Sequence, residues 1–395
     1  MTNLELAFDL MQCSFLDTKV SEYMARVTLG CVTNKLMVAL GQAYRLRGAI
    51  ACWLVALAAL TVASNSAAAQ TADPINGGVT VSGTTNCSGA GVGNSTCYAI
   101  SVQCSGIDGS GIAALPVTVK VTNPGSPKGA IIFVSTGGGT SYYDQSFTYG
   151  AFVVNSVLQA GFTTVQPFFG GTKGWLQGPA PNGVRALVCR FAAVANWVAT
   201  STSPLMHQSG TALCTAGVSG GASAIAYSLA HFGMGTGATR IFDMVQVTSG
   251  PTFSRLDRGC VCDQAAQQTT TGQGPLSDCY VDAGSLVDNT YSSPVCTTSK
   301  KTHDTANESV LYHDSIMSDD PPFLNYSTAV RVVFGAQNDL GGAVPQGLEW
   351  VNAITSPLTV NVIGDAAHIV PDTVDGAVQI ANDLNTACVL QTPRR

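Results

Sequence analysis

Charge is scarce in this chain. Asp, Glu, Lys and Arg together make up 11% of its 395 residues, against about 25% in an ordinary soluble domain. No run of lysines and arginines occurs, so there is no basic stretch to neutralise a phosphate backbone, and nucleic acid is not expected as a partner. Only five histidines are present, which leaves few candidates for metal binding or for acid–base work. Cys260-x-Cys262 has the wrong spacing for a zinc knuckle and no histidine beside it to complete one. No metal and no organic cofactor is therefore expected. Nor is there a long apolar run: the uncharged stretch 48–63 holds 16 residues, short of the roughly 20 that a bilayer-spanning helix needs.

That stretch is expected to be the apolar core of a signal peptide instead. Arg45 and Arg47 precede it, and Ser64-Asn65-Ser66-Ala67-Ala68-Ala69 follows it. A basic flank, an apolar centre and a small-residue end are the three parts of a secretory signal. Residues 1–69 are thus expected to be a leader, cut after Ala69, and the mature protein to be secreted or periplasmic without stable membrane insertion. Residues 1–36 are long and acidic for a signal, and translation from Met24 or Met37 would shorten them. Of the 18 basic and 24 acidic residues the leader holds five and four, which leaves residues 70–395 with 13 and 20 and a formal charge of −7. That length suits one large domain with a real core.

Three of the 13 cysteines fall in the leader, and ten remain. An even number beside an export signal points to disulfides. Cys189 and Cys214 lie in apolar patterns and fit buried free thiols equally well. Pairing is not readable from the sequence.

Residues 70–95, rich in Gly, Ser, Thr and Asn, read as an irregular arm. Alternation predicts strands at 97–102 and 115–121, joined by a Gly-rich turn. The continuous apolar run 130–134 predicts a strand buried on both faces. Helices are expected at 146–160 and 184–198, with strands at 162–167, 211–216 and 242–247. Residues 255–328 are polar, cysteine-rich and weakly periodic, and read as a disulfide-stapled insertion. A strand at 330–334, a helix near 345–353, a strand at 358–363 and a helix at 373–386 close the chain. Strands alternating with helices predict an α/β fold with a doubly wound, mostly parallel sheet and helices on both faces.

Residues 217–221 read Gly-Val-Ser-Gly-Gly. Between a strand and a helix, such a pentapeptide makes a turn too tight for side chains at its ends and leaves the serine exposed and strained. The context is present: an apolar-leaning run precedes it, and Ala222, Ile225, Ala226, Leu229 and Ala230 follow at helical spacing. Ser219 is the candidate nucleophile. A serine hydroxyl needs a base, and the base needs an orienting acid. His368 follows the last predicted strand, on the sheet edge that carries ligands in doubly wound folds. His231, at the far end of the helix that follows the serine, points away from Ser219, and His303 and His313 in the insertion stand in reserve. Asp339 follows the penultimate strand on the same edge and is the candidate acid, ahead of Asp257 and Asp365. Asn338-Asp339, followed by Gly341-Gly342, would also suit a plain turn.

An acyl-transfer intermediate needs backbone donors for its oxyanion. One is expected from Gly220. The other is expected from the loop Ser135-Thr136-Gly137-Gly138-Gly139-Thr140, with Gly138 or Gly139 donating. No Gly-Lys-[Ser/Thr] follows, so that loop is not a phosphate cradle. Tyr142, Tyr143, Phe168, Phe169 and Trp175 fall on neighbouring loops, either lining an apolar substrate site or packing the loops.

Together these residues resemble the α/β-hydrolase superfamily over about 97–388. The resemblance rests on Gly-Val-Ser-Gly-Gly, on Gly137–Gly139 and on the chain order Ser219, Asp339, His368. It implies ester hydrolysis through an acyl-enzyme and a lid-like role for 255–328. Ser135-Thr136 stands where many lipases and esterases have a histidine, which leaves the donating glycine open. A peptidase or amidase of the same fold, or a binding protein that kept the fold without the chemistry, are the alternatives. The expected substrate is a small-molecule or polymeric ester.

Overall fold

The computed structural model describes residues 73, 77–87, 95–105, 111–180, 183–201, 206–261, 279–280, 283–318, 323–337 and 342–391. The expected signal peptide and Asp339 lie outside the described residues. Nine strands form one sheet: β1 (Gly77–Thr85), β2 (Ser95–Cys104), β3 (Ile112–Thr122), β4 (Gly129–Val134), β5 (Phe162–Phe169), β6 (Ala212–Val218), β7 (Met244–Thr248), β8 (Ala329–Gly335) and β9 (Leu358–Ile363). Their order is β1-β2-β3-β5-β4-β6-β7-β8-β9. The first three strands and β5 pair antiparallel, and everything from β5 to β9 pairs parallel. The fold is the expected α/β class.

The period-2 rule divides the central strands between two cores. Ile132 and Val134 of β4 face one side, and Ile131 and Phe133 face the other. On the first side, helices Cys189–Thr200, Gly220–Ala230 and Ala343–Ala353 cover the sheet through Phe191, Val194, Ile225, Leu229 and Trp350. On the second, Gly150–Gln159 and Val374–Ala387 cover it through Val153, Val157, Ile380 and Leu384. Every residue of Gly220–Ala230 is buried, which is why its sequence is nearly all small or apolar.

Three expectations change. The arm at 70–95 contains β1, whose residues pair with β2 from Gly77↔Cys104 to Thr85↔Cys97. Glycine and threonine obscured it, but backbone pairing does not depend on apolar side chains. The helix expected at 184–198 is two abutting segments, Gly183–Leu187 and Cys189–Thr200. The insertion, expected only as a weakly periodic segment, carries helices among its described residues at Leu256–Val261, Gly284–Asp288, Val295–Thr302 and Thr305–His313.

Disulfides join Cys87–Cys97, Cys104–Cys189, Cys214–Cys388 and Cys260–Cys296, and Cys279 is also disulfide-bonded. Cys189 and Cys214 are therefore paired rather than free. Cys214–Cys388 ties β6 to the end of the last helix across 174 residues, a closure worth about 5 kcal/mol in chain entropy. Among the described residues no helix is long and apolar enough to cross a membrane.

Candidate active site

The chain reverses its direction of sheet growth between β4 and β6, the switch point where open α/β sheets bind ligands. Val134 pairs with Gly217, Val218 with Thr248, and Gly335 with Ile363. The loops after β4, β6, β7, β8 and β9 therefore leave the sheet along one edge.

Ser219 follows β6 directly. Its φ of 55° and ψ of −113° lie in a region that non-glycine residues rarely occupy. Neighbouring backbone holds it there. A Cβ on Gly217 would come within 2.6 Å of the Gly221 carbonyl, and one on Gly221 within 2.5 Å of the Ser135 carbonyl oxygen. Those contacts explain both terminal glycines of the pentapeptide. The Ser219 N–H donates to the Thr248 carbonyl at 2.9 Å, and the Ser219 carbonyl receives the Ser223 N–H at 2.9 Å. The side chain is thus pushed out at the N-terminus of Gly220–Ala230, where the helix presents partial positive charge.

His368 Nε2 lies 3.0 Å from Ser219 Oγ. A neutral imidazole protonated at Nδ1 accepts the hydroxyl proton at that distance. The loop carrying His368 folds back on β8: the Ala336 N–H donates to Ile363 O at 2.9 Å and the Gln337 N–H to Ala366 O at 2.8 Å. A Cβ on Gly335 would meet Ala367 O at 2.1 Å. The chain leading to position 339 is therefore hydrogen-bonded to the histidine loop. The rival acids are placed otherwise. Asp257 forms a two-pronged pair with Arg255 at 2.8 and 2.5 Å, and Asp365 is exposed. Two other histidines also lie elsewhere. Buried His231 faces the Ser315 carbonyl at 3.2 Å, and His303 sits 3.9 Å from Glu308.

A cavity of about 300 Å³ opens at Ser219, lined by Thr136, Gly137, Gly220, Thr252, Phe253, Ala283, Leu286, His368 and Ile369. Gly220 is where it was expected. Gly138 and Gly139 are buried and are not among its lining residues. The Gly138 carbonyl receives the Trp175 N–H at 2.8 Å, the Gly139 carbonyl receives the Phe169 N–H at 2.9 Å, and the Gly139 N–H is spent on Thr136 O at 3.1 Å. The stretch that reaches the cavity is Thr136–Gly137, one or two residues earlier.

The aromatic residues expected around the substrate are absent from this lining. Tyr142 is 1% exposed and Trp175 is fully buried. Phe168 packs on Tyr142 with ring centroids 5.8 Å apart. They brace the loop instead. Buried Lys120 pairs with Asp144 at 2.6 Å and lies over the Tyr142 ring at 4.5 Å. Gln166 bonds Asp144 from both its amide ends, at 3.0 and 3.2 Å. Ser135 Oγ donates to the Ser141 carbonyl at 2.8 Å, closing the loop neck.

Thr252 and Phe253, just past β7, were legible as sheet-edge residues but carried no chemical signal. Thr252 is held by its N–H to Ser223 Oγ at 2.8 Å. Ala283 and Leu286 come from the insertion, and no local pattern marks them. The insertion is anchored by Asp314, whose carboxylate receives the Val184 and Arg185 N–H groups at 2.6 and 2.7 Å and the Tyr291 hydroxyl. Burial pushes that carboxyl up to about 7, against the pull of those hydrogen bonds. Among the described residues no three His, Cys, Asp or Glu side chains gather as a metal would require.

No protein-family model matches the chain, and no curated protein matches it. Solved structures do. Brefeldin A esterase, a bacterial homologue of human hormone sensitive lipase, is 15% identical with a TM-score of 0.45, over 80% of this chain and 78% of its own. Acetyl xylan esterase 1 from Thermoanaerobacterium sp. JW/SL YS485 is 15% identical with a TM-score of 0.44, over 78% and 87%. Dienelactone hydrolase from Anabaena variabilis is 11% identical with a TM-score of 0.39, over 69% and 90%. These values describe a likeness of backbone arrangement.

Proposed function

We propose that this chain is an exported serine hydrolase of the α/β-hydrolase superfamily that cleaves carboxylic esters. The observation that carries the reading is the contact of His368 Nε2 with Ser219 Oγ at 3.0 Å, at the mouth of a cavity, on a serine held in a strained conformation. Ser219 Oγ attacks the ester carbonyl as its proton passes to His368. The imidazolium then protonates the leaving alcohol, and an acyl-enzyme remains. Water, deprotonated by the same histidine, releases the acid. Asp339 orients the imidazole and stabilises its charged form.

The oxyanion is held by the Gly220 N–H and by a backbone N–H of Thr136–Gly137, the stretch that faces the cavity beside it. Donors aimed in advance at a developing charge are worth about 3–4 kcal/mol each in such sites. Export is supported by the signal-like stretch 48–63 together with the disulfides, which persist in oxidising compartments.

An organophosphonate probe tests the reading. The native protein should be labelled at Ser219, and Ser219→Ala should lose both the label and esterase activity. A protein that resists the probe, or an alanine variant with undiminished hydrolysis, would sink it.

A further inference from the structure

The cavity at Ser219 lies at the small end of ligand pockets, with about 300 Å³ against the usual range of roughly 300–1,000 Å³. Among the described residues, its side-chain walls beyond the proposed catalytic groups are Thr136, Thr252, Phe253, Ala283, Leu286 and Ile369. None is charged. Arg255 and Arg258 are turned to Asp257 and Glu349, Arg185 to Asp73, and Arg190 to the carbonyls of Trp175, Gln177 and Ala113. A carboxylate on a substrate's acyl chain would thus lose its water and meet no cationic side chain among the described lining residues.

The wall given by the insertion is tied down rather than hinged. Leu286 and Ala283 pack against the main core. Just beyond them, Asn289 Nδ2 donates to Leu176 O at 3.1 Å, and the Ala180 N–H donates to Thr290 O at 2.9 Å. Asp288 receives the Cys296 N–H at 2.7 Å, and Cys296 is bonded to Cys260. The backbone at Gly178 approaches so closely that a Cβ there would meet Asn289 O at 2.3 Å. A longer chain therefore meets Leu286 and does not displace it. The leaving alcohol must lie towards His368, which protonates it, and this assigns the Thr252–Phe253 and Ala283–Leu286 walls to the acyl group.

We infer that the site takes esters of short, uncharged carboxylic acids, and that Leu286 sets the limit on acyl length. The inference rests on the serine-hydrolase reading above. A methylene that does not fit a hydrophobic pocket costs about 10-fold or more in kcat/KM, so the profile should break sharply.

The test uses the p-nitrophenyl esters of acetic, butyric, octanoic and dodecanoic acids and the p-nitrophenyl monoester of succinic acid. Rates are normalised to active sites titrated with an organophosphonate, so that misfolded protein does not count. In the native protein kcat/KM should fall about 10-fold or more from butyrate to octanoate, and the succinate ester should lag butyrate by a similar factor. Leu286→Ala should raise the octanoate-to-butyrate ratio about fivefold or more, and Leu286→Phe should lower the butyrate-to-acetate ratio. If Ser219 is labelled but octanoate equals butyrate, or both Leu286 variants leave the ratios unmoved, or succinate is cleaved as fast as butyrate, the inference is overturned and the hydrolase reading survives. If Ser219 is not labelled, both fall.

Discussion

His368 Nε2 and Ser219 Oγ meet at 3.0 Å although 149 residues separate them in the chain. Neither element reaches the other by local structure. They meet because β6 and β9 run parallel in one sheet, with their C-terminal ends along a common edge. The serine also bears a conformational cost, since its φ is 55°. Holding a non-glycine residue in such a region costs about 1–3 kcal/mol, and glycine is free of that penalty. Ser219→Gly is expected to be more stable than Ser219→Ala by on the order of 1 kcal/mol in urea unfolding, although both are inactive. Equal midpoints would show that the turn stores no strain.

Asp339 is the proposed acid, reached through a backbone that is hydrogen-bonded to the histidine loop at Ala336 and Gln337. Asp339→Asn should lower kcat by about 10²–10⁴ with KM little changed, because the imidazole loses its orienting charge. Asp257→Asn and Asp365→Asn should each change kcat by less than about threefold, since the one is paired with Arg255 and the other is exposed. A large loss at Asp257 or Asp365 and none at Asp339 would move the acid elsewhere.

Lys120 and Asp144 are 1% and 2% exposed at their side chains. Removing one partner leaves the other charge buried and uncompensated, so Lys120→Met alone should cost about 3–5 kcal/mol. The double variant Lys120→Met/Asp144→Leu should recover most of that loss, because the desolvation of both charges disappears with them. A double-mutant cycle by urea denaturation measures the coupling. Additive losses would mean that the pair does not act as a unit.

Asp314 makes stability depend on pH. Its carboxyl is raised from 3.8 to about 7 by burial. Between those values the folded chain keeps a proton that the unfolded chain has lost. Stability therefore falls as pH rises from about 4 to about 7 and is level above, with a ceiling of about 4 kcal/mol for this group. Urea midpoints should be higher at pH 5 than at pH 8, and Asp314→Asn should flatten the difference. Parallel profiles for the native protein and the variant would remove Asp314 as the source.

Much of the fold was legible. The run 130–134 showed itself as a strand buried on both faces because it is apolar without interruption, and the elbow strand and helix showed themselves through small residues at the right spacing. β1 did not, since Gly77–Thr85 carries little apolar periodicity and owes its place to pairing with β2. The site was legible in part. Ser219, His368 and Gly220 line one cavity. Tyr142 and Trp175 were drawn towards the substrate by their position on loops, yet they are buried against Lys120 and beneath Gly138. Bulk and loop position alone do not say which way an aromatic side chain faces.

The order of strands and helices, the tight turn at Ser219 and the loops that carry the candidate residues follow from local pattern: periodicity, small residues at a crowded turn, and position after a strand. What only the tertiary structure decided is which backbone stretch, Thr136–Gly137 rather than Gly138–Gly139, faces the cavity, which cysteines pair, and that Leu286 of the insertion lines that cavity. Each of these depends on distances between segments far apart in the chain. Those distances are set by how the two cores and the insertion pack together, and no local run of residues encodes them.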